Sequence, residues 1–190
     1  APDFAAARLF RHDPASGAFM AAPDYPLPLD LLVGVERQKD RFADNLARFA
    51  KGLPSNHALL WGVRGTGKSS LAKAAFMAVG ASTEGLKLIE VDRDEVTTLP
   101  ALFDLLRGRT ERFVVLCDDL SFEEGAQAAK ALKSALEGGV SGPPANVLFV
   151  VGNTTLNSGD SAVNTRLQGL GHSITLVSGA AAKVADATGR

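Results

Sequence analysis

The stretch Gly62-Val63-Arg64-Gly65-Thr66-Gly67-Lys68-Ser69-Ser70 follows an apolar run at residues 58–61 and leads into a helix-forming segment at 68–79. It matches the spacing G-x-x-x-x-G-K-[ST] of a phosphate-binding loop. Glycines let such a loop turn sharply, so that successive backbone N–H groups point at an anion from the positive end of the following helix. A glycine-rich turn is a weak signal by itself, but a strand before it and a helix after it are the context that the motif requires. The stretch therefore predicts a phosphate site rather than a plain turn.

Residue types within this loop predict ATP and Mg²⁺ as the cofactors. Lys68 is expected to reach the β- and γ-phosphate oxygens, and the Ser69 hydroxyl is expected to hold Mg²⁺. The candidate nucleotide-binding residues of the stretch are Gly62, Val63, Arg64, Gly65, Thr66, Gly67, Lys68, Ser69 and Ser70.

Two acids follow a continuous apolar run at residues 113–117. Such a run is typical of a strand buried on both faces of a parallel sheet, and an open α/β sheet binds its ligand at the carboxyl ends of its strands. Asp118 is predicted to hold Mg²⁺ opposite Ser69, and Asp119 to orient the attacking water. The alternative, that both acids simply begin a turn, is disfavoured because the two motifs need each other for metal binding.

Two further residues are candidates for catalysis. Asn153 follows an apolar strand at residues 146–151. Its amide is predicted to hydrogen-bond the γ-phosphate or the water, although a turn-forming asparagine explains it nearly as well. Arg166 is a basic residue placed to act across a subunit boundary, but a surface arginine on a helix is the commoner outcome.

Composition limits the class of protein. The length of 190 residues suits one domain, and the near balance of 20 Lys and Arg against 21 Asp and Glu gives no indication of nucleic acid as the primary ligand. The one cysteine, Cys117, lies in apolar surroundings that predict a buried thiol in a reducing compartment. No apolar run approaches the ~18 residues of a membrane span, and no signal pattern opens the chain, so a cytoplasmic protein without membrane contact is expected.

The remaining patterns predict the organisation of the chain. Residues 1–30, rich in Ala and Pro, predict an N-terminal arm with a short helix at 4–10; the arm would cross a neighbouring surface or strap its own domain. Residues 31–190 predict a P-loop ATPase α/β domain. Its expected strands are 58–61, 86–92, 113–119, 146–151 and 172–177, and its expected helices are 36–51, 68–79, 101–107, 121–136, one near 162–170 and one at 180–188.

Four stretches together carry a resemblance to a known family: VGVERQK at 33–39, ALLWGVRGTGKSS at 58–70, CDDLSFEEG at 117–125 and ALKSALEG at 131–138. Over about residues 29–149 the chain resembles a bacterial family of AAA+-type P-loop ATPases catalogued as a domain of unknown function. The resemblance implies a three-layer fold with a five-stranded parallel sheet in the order 5-1-4-3-2. It also implies the following roles: Val33, Gly34 and Val35 near the adenine, Asp118 and Asp119 as the Walker B acids, Asn153 at or beside the sensor position, and Arg166 as the arginine finger.

The chain departs from such ATPases in two respects. Asp119 stands where most AAA+ proteins have a catalytic glutamate, and its shorter side chain predicts slower or partner-dependent hydrolysis. Residues 147–190 look closer to the strand-helix-strand that opens flavodoxin-like domains, and no complete helical lid domain is expected. A natural divergence, a recombined chain and a designed chain are the alternatives for this part.

These observations predict Mg-ATP binding and slow ATP hydrolysis, with ATP preferred to GTP because no Asn-Lys-x-Asp element is present. ATP and ADP are the expected partners, together with a homo-oligomer through the nucleotide face. Two alternatives stay open: an interaction module that binds nucleotide without useful hydrolysis, and a fold in which the phosphate loop is idle.

Overall fold

A computed structural model describes residues 2–62, 65–118, 144–153, 175–178 and 183–184. The strands within these ranges are β1 (Leu9–Asp13), β2 (Ala18–Ala22), β3 (Leu32–Val33), β4 (Ala58–Trp61), β5 (Leu86–Val91), β6 (Arg112–Cys117), β7 (Val147–Asn153), β8 (Thr175–Ser178) and β9 (Lys183–Val184). The helices are α1 (Glu36–Ala50), α2 (Lys68–Gly80) and α3 (Leu99–Leu106), with 3₁₀ turns at Leu29–Leu31 and Arg93–Thr98.

Seven of the strands form one sheet in the order β2-β1-β5-β6-β7-β4-β8. All neighbours in it are parallel except β2, which pairs antiparallel with β1. The carboxyl ends of β4, β5, β6 and β7 therefore meet at one edge of the sheet. This edge receives the start of the phosphate loop after β4 and Asp118 after β6.

The sheet is buried on both faces, which gives the domain three layers. Along β6, Phe113, Val115 and Cys117 pack in one core cluster, while Val114 and Leu116 pack in another. Residues of α3 cover the first face, and residues of α1 and α2 cover the second. Because neither face of β6 meets water, its sequence is a continuous apolar run, as expected for a central parallel strand.

The sheet is larger than the sequence predicts. The five predicted strands lie side by side as β8-β4-β7-β6-β5, but β1 and β2 extend the sheet beyond β5. A five-stranded sheet in the order 5-1-4-3-2 is therefore wrong for the whole sheet. The antiparallel β9 also replaces part of the helix predicted at 180–188, because Lys183–Val184 pairs with Leu32–Val33. The helices predicted at 121–136 and near 162–170 lie outside the described residues.

The N-terminal segment forms a hairpin in place of the short helix predicted at residues 4–10, which is wrong. Leu9 and Phe10 pack in different core clusters, so the chain places successive side chains on opposite faces of the sheet, as a strand does. Phe4 packs edge-on against Phe10 and Phe113, with ring centroids 5.1 and 4.8 Å apart. The segment predicted as an arm thus contributes two strands to the sheet of its own domain.

None of the helices in these described ranges is both long enough and apolar enough to cross a lipid bilayer.

The hairpin contains a buried histidine that makes stability depend on pH. His12 is 8% exposed, and burial lowers its pKa below the ordinary 6.5, although the neighbouring Asp13 acts in the opposite direction. The unfolded chain therefore binds the proton more readily, so the stability contributed by neutral His12 is present above pH 6.5 and is lost as the pH falls through the lowered pKa. We expect His12→Gln to reduce this loss: the melting temperatures of wild type and variant should converge or cross between pH 8 and pH 5. Parallel pH profiles for the two proteins would contradict this.

Candidate nucleotide phosphate site

The phosphate loop connects the end of β4 to the first turn of α2. Gly67 caps α2 in a left-handed conformation, with φ 82° and ψ 19°, and its carbonyl accepts a hydrogen bond from the Leu71 N–H at 2.8 Å. A side chain would strain the backbone at this position, which explains the glycine. The first turn of α2 contains no acidic residue, so nothing within that turn offsets the positive end of the helix. This end is therefore suited to an anion.

The lysine of the loop ties the two ends of the loop together. Lys68 Nζ donates a hydrogen bond to the Gly62 carbonyl oxygen at 2.9 Å. The ammonium is consequently held beside the residue that begins the loop. Thr66, between these two positions, is 4% exposed. Val63 and Arg64, the other predicted members of the loop, lie outside the described residues.

The structure brings together the two residues predicted to hold the metal. The Ser69 hydroxyl donates a hydrogen bond to Asp118 Oδ2, although the two residues are 49 positions apart in the chain. Ser69 comes from the first turn of α2, and Asp118 directly follows β6. The hydroxyl and carboxylate oxygens are ligand types that Mg²⁺ accepts, and Mg²⁺ commonly takes one or two protein ligands while phosphates and water complete its shell. The pair is therefore compatible with a Mg²⁺ site in which phosphates and water supply the other ligands.

Within the described ranges, no group of three or more His, Cys, Asp or Glu side chains is placed to hold a metal ion by itself. The Ser69 and Asp118 pair thus differs from a metal site built entirely of protein ligands.

Gly152, on β7, makes room for the Asp118 carboxylate. A Cβ atom built on Gly152 would overlap Asp118 Oδ1 and would lie 3.5 Å from the Asp118 Cα. The role of this residue could not be predicted from the sequence, because a glycine near the end of a strand does not reveal which side chain approaches it. Gly152 therefore contributes to the site because its lack of a side chain leaves space for the Asp118 carboxylate.

We expect Gly152→Ala to displace the Asp118 carboxylate and to weaken the Mg²⁺-dependent part of ATP binding by about tenfold, comparable to the loss of one charge-assisted hydrogen bond. The dissociation constant for ATP, measured with Mg²⁺ and with EDTA, checks this. Gly80→Ala is the matched control, since a Cβ at Gly80 meets no atom within 4 Å. Unchanged Mg²⁺-dependent binding in Gly152→Ala would show that the carboxylate does not need this space.

Cys117 and Trp61, each at the end of a central strand, differ in burial. Cys117 is 0% exposed, as predicted, and burial, assisted by the charge of Asp118, raises its pKa to about 12. It is therefore a neutral thiol at physiological pH and a poor nucleophile. Trp61 closes β4, and its indole N–H is buried without a hydrogen-bond partner in the described part of the chain.

The segment predicted to lie near the adenine is fixed to the start of α1. The Gly34 N–H donates to Glu36 Oε1 at 2.8 Å, and Val35 is 3% exposed. Val33 belongs to β3 and pairs with Lys183. Val35 packs in the same core cluster as Leu71, so this segment and the first turns of α2 share one layer of the domain.

The structure also places Tyr25 against the loop, which the sequence analysis missed. The Tyr25 hydroxyl donates a hydrogen bond to Ser70 Oγ at 3.0 Å. A contact over 45 positions leaves no local sequence signal, although Tyr25 is the only tyrosine in the chain.

Of the remaining predicted residues, the structure describes only the backbone of Asn153. The backbone of Asn153 lies opposite Trp61 in the pairing of β7 with β4, at the same edge of the sheet as Asp118. The Asn153 side chain, Asp119 and Arg166 lie outside the described residues. Their roles stay predictions.

A parallel sheet covered on both faces, with a glycine loop and an acid at its carboxyl edge, is the arrangement of a P-loop α/β fold. The chain belongs to the family described as "Protein of unknown function (DUF815)", whose model matches residues 5–157. The resemblance predicted from the sequence is therefore confirmed. No curated protein matches the chain.

Solved structures of AAA+ proteins share the fold. The Orc1 protein of Aeropyrum pernix in complex with DNA matches with a TM-score of 0.55 and 19% identity, over 82% of this chain and 46% of its own. The Thermotoga maritima RuvB Holliday junction branch migration motor matches with a TM-score of 0.55 and 19% identity, over 80% of this chain and 47% of its own. AMPPCP-bound DnaA from Aquifex aeolicus matches with a TM-score of 0.52 and 16% identity, over 82% of this chain and 50% of its own. The chain thus spans about half the length of these structures.

The Orc1 structure contains DNA. The sequence gives no indication of nucleic acid as the primary ligand, and the comparisons do not support excluding it.

Proposed function

We propose that this chain binds ATP together with Mg²⁺ and hydrolyses it slowly. The observation that carries the proposal is the hydrogen bond between Ser69 and Asp118 at the positive end of α2, with Lys68 held on the same loop. These three groups supply the cation, the hydroxyl and the carboxylate that phosphoryl chemistry needs around a nucleotide.

Each group in the described site has a distinct proposed task. The N–H groups at the N-terminal end of α2 are assigned to the α- and β-phosphate oxygens, because the N-terminus of a helix favours a bound anion. The Lys68 ammonium donates a hydrogen bond to the Gly62 carbonyl in this structure. Its proposed task is to offset negative charge on the β- and γ-phosphates. Ser69 and Asp118 hold Mg²⁺, which neutralises charge on the same oxygens when bound.

Hydrolysis requires a group that positions water, and we assign this task to Asp119 with assistance from Asn153. Asp119 follows the metal-site acid directly, and the backbone of Asn153 lies at the same edge of the sheet. An aspartate reaches less far than a glutamate, which is why slow turnover is proposed. Arg166, acting from a neighbouring copy in a homo-oligomer, would add positive charge to the transition state.

Thermal unfolding with ATP, ADP and GTP, each with Mg²⁺ and with EDTA, tests the binding half of the proposal. A ligand at 100 times its dissociation constant stabilises the folded state by about 2.7 kcal/mol. For a domain of this size that corresponds to a rise in melting temperature of about 5–10 °C. The expected result is a rise with ATP and ADP, larger with Mg²⁺, and a smaller one with GTP. An unchanged melting temperature with every nucleotide would leave the loop idle and overturn the proposal.

Phosphate release tests the hydrolysis half separately. Wild type should release phosphate from ATP, whereas Lys68→Ala and Asp119→Asn should not. Equal rates in all three proteins would remove the enzymatic claim. Tight ATP binding without phosphate release, including after addition of partner proteins, would instead favour the nucleotide-dependent interaction module.

A further inference from the structure

We propose that Tyr25 is a positioning residue that fixes the phosphate-binding turn of α2 relative to the segment assigned to the base. The inference rests on the proposed function, because it concerns how the same nucleotide site is held in shape. Tyr25 belongs to the strap, defined here as residues 23–31, which connects β2 to β3.

Tyr25 contacts α2 on two successive turns. Its hydroxyl donates to Ser70 Oγ at 3.0 Å, and its ring centroid lies 5.8 Å from Lys73 Nζ. Ser70 and Lys73 are three positions apart, so they share one face of the helix. Lys73 also forms a 2.6 Å ion pair with Glu90 of β5. The tyrosine therefore meets a part of α2 that is itself fixed to the sheet.

Beyond Tyr25 the strap leaves space beside α2 before its 3₁₀ turn at Leu29–Leu31 contacts the helix again. A cavity of about 630 Å³ lies between the two elements, bordered by strap residues and by Ala74, Met77 and Ala78 of α2. Later in the strap, Leu27 and Leu29 are only partly buried against the core. The Tyr25 hydroxyl thus joins the strap to Ser70 in the first turn of α2.

The two ends of this connection correspond to the two ends of a nucleotide. Ser70 lies in the turn whose N–H groups are assigned to the phosphates, and the strap leads through β3 to Val33, Gly34 and Val35, which are assigned to the adenine. A shift of the turn relative to this segment would misplace one end of the ligand whenever the other is bound. Holding both before the nucleotide arrives removes that ordering cost from binding.

The experiment is a double-mutant cycle on nucleotide affinity, using Tyr25→Phe, Ser70→Ala and the two combined. Tyr25→Phe keeps the ring beside Lys73 and removes only the hydroxyl. We expect each single variant to raise the dissociation constants of MgATP and MgADP by a similar factor, roughly fivefold, which is the size of one hydrogen bond. The double variant should be no weaker than the weaker single variant, and Ser70→Thr, which keeps a hydroxyl acceptor, should recover most of the affinity.

Where turnover is measurable, KM should rise in Tyr25→Phe while kcat stays within twofold, since the bond acts on binding rather than on the reacting atoms. Asp24→Asn is the matched control: it weakens the ion pair of Asp24 with Arg8, next to Tyr25 in the strap, without touching α2. It should leave both dissociation constants within twofold of wild type.

The outcomes separate the two proposals. Absence of nucleotide binding by wild type overturns the proposed function and this inference with it. Normal binding by wild type with an unchanged affinity in both Tyr25→Phe and Ser70→Ala overturns the inference alone. Additive effects in the double variant, or an equal loss in Asp24→Asn, would also overturn it, because the effect would then come from general loosening of the strap.

Discussion

Replacing Lys68 with alanine is expected to weaken MgATP binding by about 10- to 100-fold, the range set by one hydrogen bond to a charged group. The ammonium is held on the loop by the Gly62 carbonyl, so it is already placed beside the proposed phosphate site. The loss should be smaller for ADP, because Lys68 is assigned to the β- and γ-phosphates. Any phosphate release should fall further, by about 100- to 1,000-fold, since developing charge loses a preorganised donor. Equilibrium dialysis and a phosphate-release assay measure the two effects.

Lys51→Ala is the control for this experiment. Lys51 follows α1 and is exposed. The substitution Lys51→Ala therefore removes the same charge from the chain at a position outside the candidate site. Its affinity for ATP should match that of wild type. If Lys68→Ala and Lys51→Ala bind MgATP equally well, the ammonium of Lys68 does not meet phosphate.

Asp118→Asn is expected to remove the Mg²⁺ dependence of ATP binding. The amide keeps the size of the side chain and an oxygen acceptor for the Ser69 hydroxyl, so the local fold should survive, but it loses the negative charge that a divalent cation requires. Wild type should bind ATP about tenfold more tightly with Mg²⁺ than with EDTA, a difference worth about 1.4 kcal/mol. In the variant the two dissociation constants should be nearly equal, and hydrolysis should fall by at least about 100-fold.

Asp92 offers a matched control, because it follows β5 at the same edge of the sheet as Asp118 follows β6. Its side chain is 59% exposed and pairs with Arg11 at 3.2 Å. Asp92→Asn should therefore retain the Mg²⁺ dependence of wild type. A variant Asp118→Asn that still binds ATP more tightly with Mg²⁺ would exclude Asp118 as a metal ligand.

The central part of the fold could be predicted because its sequence signals are local. The apolar run of β6 follows from burial on both faces, and the glycine pattern followed by a helix former locates the start of α2 at Lys68. Both signals depend on neighbouring residues along the chain, so no knowledge of distant contacts is required. The predicted pair of Ser69 and Asp118 could be inferred in the same way, since parallel strands bring their carboxyl ends to one edge.

The hairpin of β1 and β2 could not be predicted from such signals. Leu9–Asp13 becomes a strand because it pairs in parallel with β5, which lies more than seventy positions further along the chain. This segment carries no local signal strong enough to specify a strand, so tertiary pairing decides its conformation. The roles of Gly152 and Tyr25 could not be predicted for the same reason, since each depends on contact with one distant residue.

The position of Trp61 makes the fluorescence of the protein a probe of the candidate phosphate site. It is the single tryptophan of the chain, its indole N–H is buried, and it directly precedes the loop that starts at Gly62. The emission of the whole molecule on excitation at the red edge of the indole band therefore comes from one ring beside the phosphate site. Changes in its wavelength, intensity or quenching by iodide report events at that site without an attached dye and without contributions from a second emitter.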